Sequence, residues 1–354
     1  MIIQWLRGND SLSLDRPHTY YVLGIRGSGK SSLLEHIGEG HLQKGHAILD
    51  LFGSRDGEGL AWLRSPWIKD KRILLYHGNN ADVDCSFETR KVADARLSDL
   101  DRYDLLISAS PLYASPNDEF GQVSRLTDLL YKRLSWRRLV YVIVREAANL
   151  YYSRLKVVED QTQAKAEMVY LIREARHMGV SIGLDTLKYT SVDSDIRNVI
   201  DYIFFKSLGM HGLPRSLWWV YSYFDPNAMQ KMKPDEFVVL SRRGCLGLGK
   251  FPEIPWHKRE REHILQQLGI TVEFGEEPDY GKDKGKFTTV SDREHAAIIA
   301  KRAGGLSMAK LAEEFHRSSG TIMNQINRHN RSIARVGVCE KCHRVDGEFA
   351  KMKI

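Results

Sequence analysis

Cysteines and long apolar runs are both scarce in this chain of 354 residues. Four cysteines do not make a disulfide scaffold at this length. The best candidate for a membrane span, Leu217 to Phe224, falls far short of the roughly 20 apolar residues that cross a bilayer, so none is expected. Met1 to Asp15 has neither the basic start nor the apolar centre of a signal peptide, and the reading is an intracellular, cytoplasmic protein. Internal repeats and long low-complexity tracts are missing as well, which excludes repeat architectures.

What is present is a 42% apolar chain with a net charge of +7. Its length exceeds what one compact core usually holds, which predicts a large domain and at least one smaller module. Residues 292–354 carry 12 Lys/Arg against 7 Asp/Glu and so hold +5 of the total. A basic terminal module beside a nearly neutral domain points to a polyanionic partner met by that module.

The densest motif is Gly24, Ile25, Arg26, Gly27, Ser28, Gly29, Lys30 and Ser31, with Ser32 following. It fits G-x-x-x-x-G-K-[ST], between the strand-like run Tyr20 to Leu23 and a helix-like run from Ser32. In such a loop the glycines let successive N–H groups face phosphates. Lys30 would neutralise β/γ oxygens, and Ser31 would hold Mg2+ at a helix N-terminus already favourable to anions. ATP with Mg2+ is the expected ligand.

Further strands are predicted at Ala47 to Phe52, Ile73 to Tyr76, Leu105 to Ser108, Leu139 to Val144, Val180 to Leu184 and Tyr202 to Phe205. Helical stretches at Asn117 to Leu134 and Asp160 to Met178 lie between them, a pattern that predicts an α/β fold with a mostly parallel sheet. A hairpin from Phe237 to Phe251 closes the core. The division expected is a P-loop domain over 1–253, a helix (Trp256 to Leu268) and charged linker over 254–290, a helical module over 291–335 and a tail over 336–354.

Hydrolysis needs an acid at the end of a neighbouring strand. Glu146, after Val140 to Val144, is the water-activating candidate; Arg145 stands before it, where an acid is usual. Asp50 is one replacement for the magnesium shell, and Asp185 with Thr186 forms a candidate γ-phosphate sensor. Arg173 and Arg176 are candidates for an arginine delivered to a neighbouring subunit's phosphate, with Arg145 a third.

These segments, together with Asp56-Gly57-Glu58, Arg173 to Ser181 and Asp195-Ile196-Arg197 leading into Asp201, resemble the FtsK/HerA superfamily of DNA-translocating and viral genome-packaging ATPases over roughly Tyr20 to Phe251. The resemblance implies a RecA-like core, homohexameric rings, ATP sites between subunits and passage of duplex DNA through a central channel. Arg145 replaces the family's usual Asp, and Leu187 stands where a sensor Gln commonly follows Thr.

In the terminal module, helices are predicted at Ser291 to Ala303, Ser307 to Phe315 and Ser318 to Asn330. The last two resemble a DNA-binding helix-turn-helix. Ser319, Thr321, Asn324, Gln325 and Arg328 would face phosphates or base edges; an oligomerisation module is the alternative. Cys339 and Cys342 have the spacing of a Zn2+ chelating pair, with His329 and His343 as candidates to complete it. Cys85 and Cys245 read as packed thiols.

The function expected is an ATP-dependent motor that moves double-stranded DNA, virus- or plasmid-encoded and acting in packaging or segregation. The competing expectation is a nucleotide-gated transcriptional regulator with little turnover. A secretion or conjugation ATPase is a third class and would call for a membrane partner.

Overall fold

Strands rich in β-branched and aromatic residues, buried on both faces, build one large sheet because helices cover each side of it. The computed structural model describes residues 1–52, 57–133, 137–148, 160–192, 194–257, 263–275, 290–315, 317, 319–336, 338–339 and 342. The chain divides into two compact units, Met1–Glu277 and Pro278–Ile354.

The first unit contains β1 (Ile2–Arg7), β2 (Thr19–Leu23), β3 (Ala47–Phe52), β4 (Ile73–His77), β5 (Ala81–Asp84), β6 (Glu88–Lys91), β7 (Leu105–Ile107), β8 (Val140–Val144), β9 (Val180–Thr186), β10 (Tyr202–Phe205), β11 (Glu236–Ser241), β12 (Leu246–Lys250) and β13 (Thr271–Phe274). Eleven of them form a sheet in the order β1-β12-β11-β10-β2-β9-β8-β3-β7-β4-β6. From β10 to β6 every pairing is parallel. The hairpin β11–β12 and then β1 extend it antiparallel. This is the RecA-like P-loop arrangement, with the loop-bearing strand β2 in the interior of the sheet.

Alternation along the strands sorts the core into two layers. Helix α1 (Lys30–Gln43) lays Leu33, Leu34 and Ile37 against Tyr20, Val22, Ile48, Tyr141 and Ile143. On the opposite face α2 (Pro116–Tyr131) and α3 (Asp160–Glu174) pack Val123, Leu126, Met168 and Leu171 over Tyr21, Leu49, Val142 and Ile182. Each such fully buried aliphatic side chain stabilises the fold by roughly 1.5–3 kcal/mol.

The helix expected over Trp256 to Leu268 is, among the described residues, a single turn at Ile264–Gln267. Trp256 packs against Trp62 with ring centroids 4.9 Å apart, and its Nε1–H donates to Glu39. The strand β13 pairs with β5. Buried Trp256, Ile264 and Ile270 therefore hold this stretch to the first unit, which runs past residue 253 because these few apolar side chains outweigh the surrounding charge. Residues 276–289, most of the expected linker, lie outside the described residues.

In the second unit α4 (Asp292–Ala303), α5 (Met308–Glu314) and α6 (Ser319–Val336) enclose Val290, Ile298, Ile299, Leu311, Ile322 and Ile326. Ser291 and Ser307 cap α4 and α5 by accepting the N–H groups of Glu294 and Lys310.

Candidate nucleotide site

The loop between β2 and α1 sits at the carboxyl ends of the parallel strands, where open α/β sheets bind ligands. The Gly24 N–H donates to Thr186 O and that of Ile25 to Ser207 O, which fastens the loop to both flanking strands. Gly29 has φ +83°, and a Cβ there would stand 2.4 Å from Pro234 O, so this position requires glycine. No side chain caps α1. Its first N–H groups are therefore turned to the loop's concavity, as an anion site requires. Lys30 Nζ donates to Ile25 O across 3.3 Å.

Asp185 lies at the end of β9 on the α1 face of the sheet, since it follows Ser181 and Gly183 at alternate positions. Its Oδ2 accepts from Ser31 Oγ at 3.3 Å, and its Oδ1 accepts from the Glu146 N–H. Burial raises its pKa to about 6, and the nearby Lys30 charge draws it back down. Thr186, next to it, points to the other face; its buried hydroxyl has no partner among the described residues. Glu146 is exposed and has φ +47°, a left-handed conformation uncommon for a side chain of this kind. The turn after β8 thus bends so that the Glu146 amide meets Asp185 while its carboxylate faces outward.

Asp50 does not face the loop as a free carboxylate. The same alternation carries Arg145 beneath α1, in line with Tyr141 and Ile143. There its Nη2 donates to Asp50 Oδ2 at 2.7 Å and its Nη1 meets Glu35 Oε1 at 2.8 Å. Trp62 Nε1–H donates to the same Asp50 oxygen at 3.0 Å. Glu58 stands 3.9 Å from Arg145, and His257 Nδ1 is 2.6 Å from Glu35 Oε2. Burial pulls the guanidinium's pKa down, but Asp50, Glu35 and Glu58 more than restore it, so Arg145 stays charged. These contacts correct two expectations: Asp50 is taken up by Arg145 and Trp62, and Arg145, fully buried, is no arginine finger. The cluster escaped the sequence because its members come from five separate segments.

Arg173 is exposed near the end of α3. Arg176 pairs with Asp201, whose other oxygen accepts the Thr19 N–H. Both contacts lie at the amino ends of β2 and β10, about 20 Å from the loop along the seven-residue β9. Arg176, paired with Asp201 there, therefore cannot serve its own chain's phosphates.

In the second unit Asn324 and Arg328 are exposed on α6, and Thr321 is half-buried. Gln325 is turned inward, and its Oε1 lies 2.9 Å from His295 Nδ1. This removes Gln325 from the base-reading set. The side chain of Ser319 lies outside the described residues. Cys339 and Cys342 meet His295 and His329, whose ligand atoms gather with theirs within 4.8 Å. His343, the other completing residue expected, is outside the described residues. His295 went unseen because it stands 44 residues before Cys339.

No family model matches the chain, and no curated protein matches it. Solved structures with a related chain path include the genome packaging NTPase B204 from Sulfolobus turreted icosahedral virus 2 in complex with sulfate, 17% identical with TM-score 0.40, covering 67% of this chain and 98% of that one. The pCW3 conjugation coupling protein TcpA is 14% identical with TM-score 0.46, covering 75% and 70%. EccC ATPases 2 and 3 of Thermomonospora curvata are 12% identical with TM-score 0.38, covering 67% and 37%. It is the sheet order and the loop itself that define the core as a P-loop NTPase fold. No helix among the described residues is long and apolar enough to cross a membrane.

Proposed function

We propose that the protein is an ATP-driven motor acting on double-stranded DNA, of the packaging or segregation type. The observation that carries the ATPase assignment is the junction of Ser31, Asp185 and the Glu146 amide beside an uncapped helix N-terminus. The loop amides and Lys30 would take the phosphates. Ser31 and Asp185 fit a hard divalent cation, being a hydroxyl and a carboxylate already in contact. Mg2+ held there would neutralise charge developing on the transferred phosphoryl group.

Asp185 is thus assigned to the cation rather than to a sensor, and Thr186 keeps the sensor assignment alone. Asp185 supplies from β9 the acid that the position of Arg145 lacks. Glu146, turned outward by its left-handed backbone, orients and deprotonates the attacking water. Arg176 or Arg173 reaches the site of an adjacent subunit in a homo-oligomeric ring, the placement far from its own loop supporting action in trans. The basic second unit grips DNA through Thr321, Asn324 and Arg328, with Ser319 at the start of the same helix.

The test is ATP turnover by wild type, Lys30→Ala and Glu146→Gln, with and without nonspecific duplex. The expected outcome is many-fold stimulation by duplex in wild type, loss of nucleotide binding in Lys30→Ala, and binding without turnover in Glu146→Gln. Absent stimulation together with tight site-specific binding would establish the nucleotide-gated regulator instead.

A further inference from the structure

We propose that His295, His329, Cys339 and Cys342 form a closed tetrahedral Zn2+ site that fastens α6 and the segment after it to α4. The donor atoms of all four lie within 4.8 Å of one another. Cys339 Sγ is 3.4 Å from His295 Nε2, and Cys342 Sγ is 3.4 Å from His329 Nδ1. A tetrahedral zinc with Zn–S of about 2.3 Å and Zn–N of about 2.0–2.1 Å has S···N edges of roughly 3.5 Å. The two S···N separations match such edges.

The surroundings suit the metal. His295, His329 and Cys339 are buried, and neither cysteine is in a disulfide. Gln325 Oε1 accepts a hydrogen bond from His295 Nδ1, which leaves Nε2, the nitrogen facing Cys339, with its lone pair available. A hydrogen bond of this kind orients a metal-bound imidazole and fixes its tautomer. Two thiolates and two neutral imidazoles balance a dication and favour zinc over the oxygen-seeking Mg2+ or Ca2+. With four protein donors the site is structural.

The unit also has a reason to use a metal. Among the described residues its buried cluster is Val290, Ile298, Ile299, Leu311, Ile322 and Ile326, with Leu306, Met308, Ala312 and Phe315 packed against it, and domains this small commonly depend on a disulfide or a metal for stability. His329 lies on α6 and His295 on α4, so one ion joins these two helices to the two cysteines after α6.

The experiment is metal analysis of the full chain purified without chelator. One zinc per chain is expected. After zinc removal, added Co2+ should give the visible absorption of a tetrahedral, thiolate-bound ion. Cys339→Ser, Cys342→Ser and His295→Ala should each lose the metal, whereas Cys245→Ser and His343→Ala should keep it. Cys342→His guards against misfolding: it should retain zinc while its Co2+ form shows weaker sulfur charge transfer. Gln325→Leu should weaken zinc about 10–100-fold. A wild-type chain that carries no zinc and takes up no tetrahedral Co2+ would overturn the proposal. So would a Cys339–Cys342 disulfide that persists in protein purified with a reductant, retention of zinc by His295→Ala, or its loss from His343→Ala.

Discussion

Asp185 accepts the hydroxyl of Ser31 at 3.3 Å, so the end of β9 and the first turn of α1 meet at one point. In the proposed function a carboxylate at this place substitutes for the acid missing from the end of β8, where Arg145 turns away beneath α1. Asp185→Asn keeps the shape of the side chain and its contact with the Glu146 amide while removing its charge. Turnover should fall by about 100-fold or more, as for loss of a preorganised electrostatic group, and the Mg2+ concentration needed for half-maximal turnover should rise. Nucleotide binding measured without Mg2+ should persist. Unchanged Mg2+ dependence would remove Asp185 from the cation site.

The same residue makes the nucleotide-free protein sensitive to pH. Burial raises its pKa from the ordinary 3.8 to about 6, against the pull of Lys30. The folded state therefore holds the proton more tightly than the unfolded state, and stability is lost as pH rises through the interval from about 4 to 6. Asp185→Asn should accordingly stabilise the protein by on the order of 2–3 kcal/mol above pH 6 and by almost nothing below pH 4. Thermal unfolding without nucleotide or Mg2+, compared at the two ends of that range, measures it. A gain of equal size at both ends would show that the carboxylate is not strained by ionisation.

Arg145 joins Asp50 and Glu35 where both are buried. Removing one member of a buried ion cluster leaves uncompensated charge and commonly costs about 3–5 kcal/mol. Arg145→Met should lower stability by that amount in denaturant titration. Arg145→Asp, which restores the acid usual at this position, should fold worse still, because a fourth carboxylate would join Asp50, Glu35 and Glu58. An Arg145→Met chain of normal stability that loses turnover would return Arg145 to a role at the phosphates.

The parts of the molecule that repeat locally could be read from the sequence. The loop from Gly24 to Ser31, the strand before Glu146 and the alternation of strands with helices each declare themselves within about ten residues, and the sheet apart from β1 and β6 is read from them. The residues that escaped act across the chain. Asp185 was visible, but its partner Ser31 is 154 positions away, and only the pairing of β2 with β9 brings them together. The pairing of Asp50 with Arg145 depends on β3 and β8 being neighbours with both side chains on the α1 face. The strand β13 was hidden in a charged stretch because its four residues pair with β5, far earlier in the chain. His295 likewise joins the cysteines only through the packing of α4 on α6.

On α6, two neighbouring amide side chains should behave differently. Asn324 is exposed, as is Arg328 one turn further on, whereas Gln325 is held by His295. Asn324→Ala with Arg328→Ala should weaken binding to duplex DNA, and loss of one arginine–phosphate contact should reduce the slope of log affinity against log salt by about 1. Gln325→Ala should leave that slope unchanged, since its amide faces the protein, and act on DNA only through loosening of α6. Fluorescence anisotropy of labelled duplex across a salt series distinguishes the two. Equal affinity and equal slope in wild type and the double variant would assign the exposed face of α6 to contacts between subunits, because no polyanion would then be meeting Arg328.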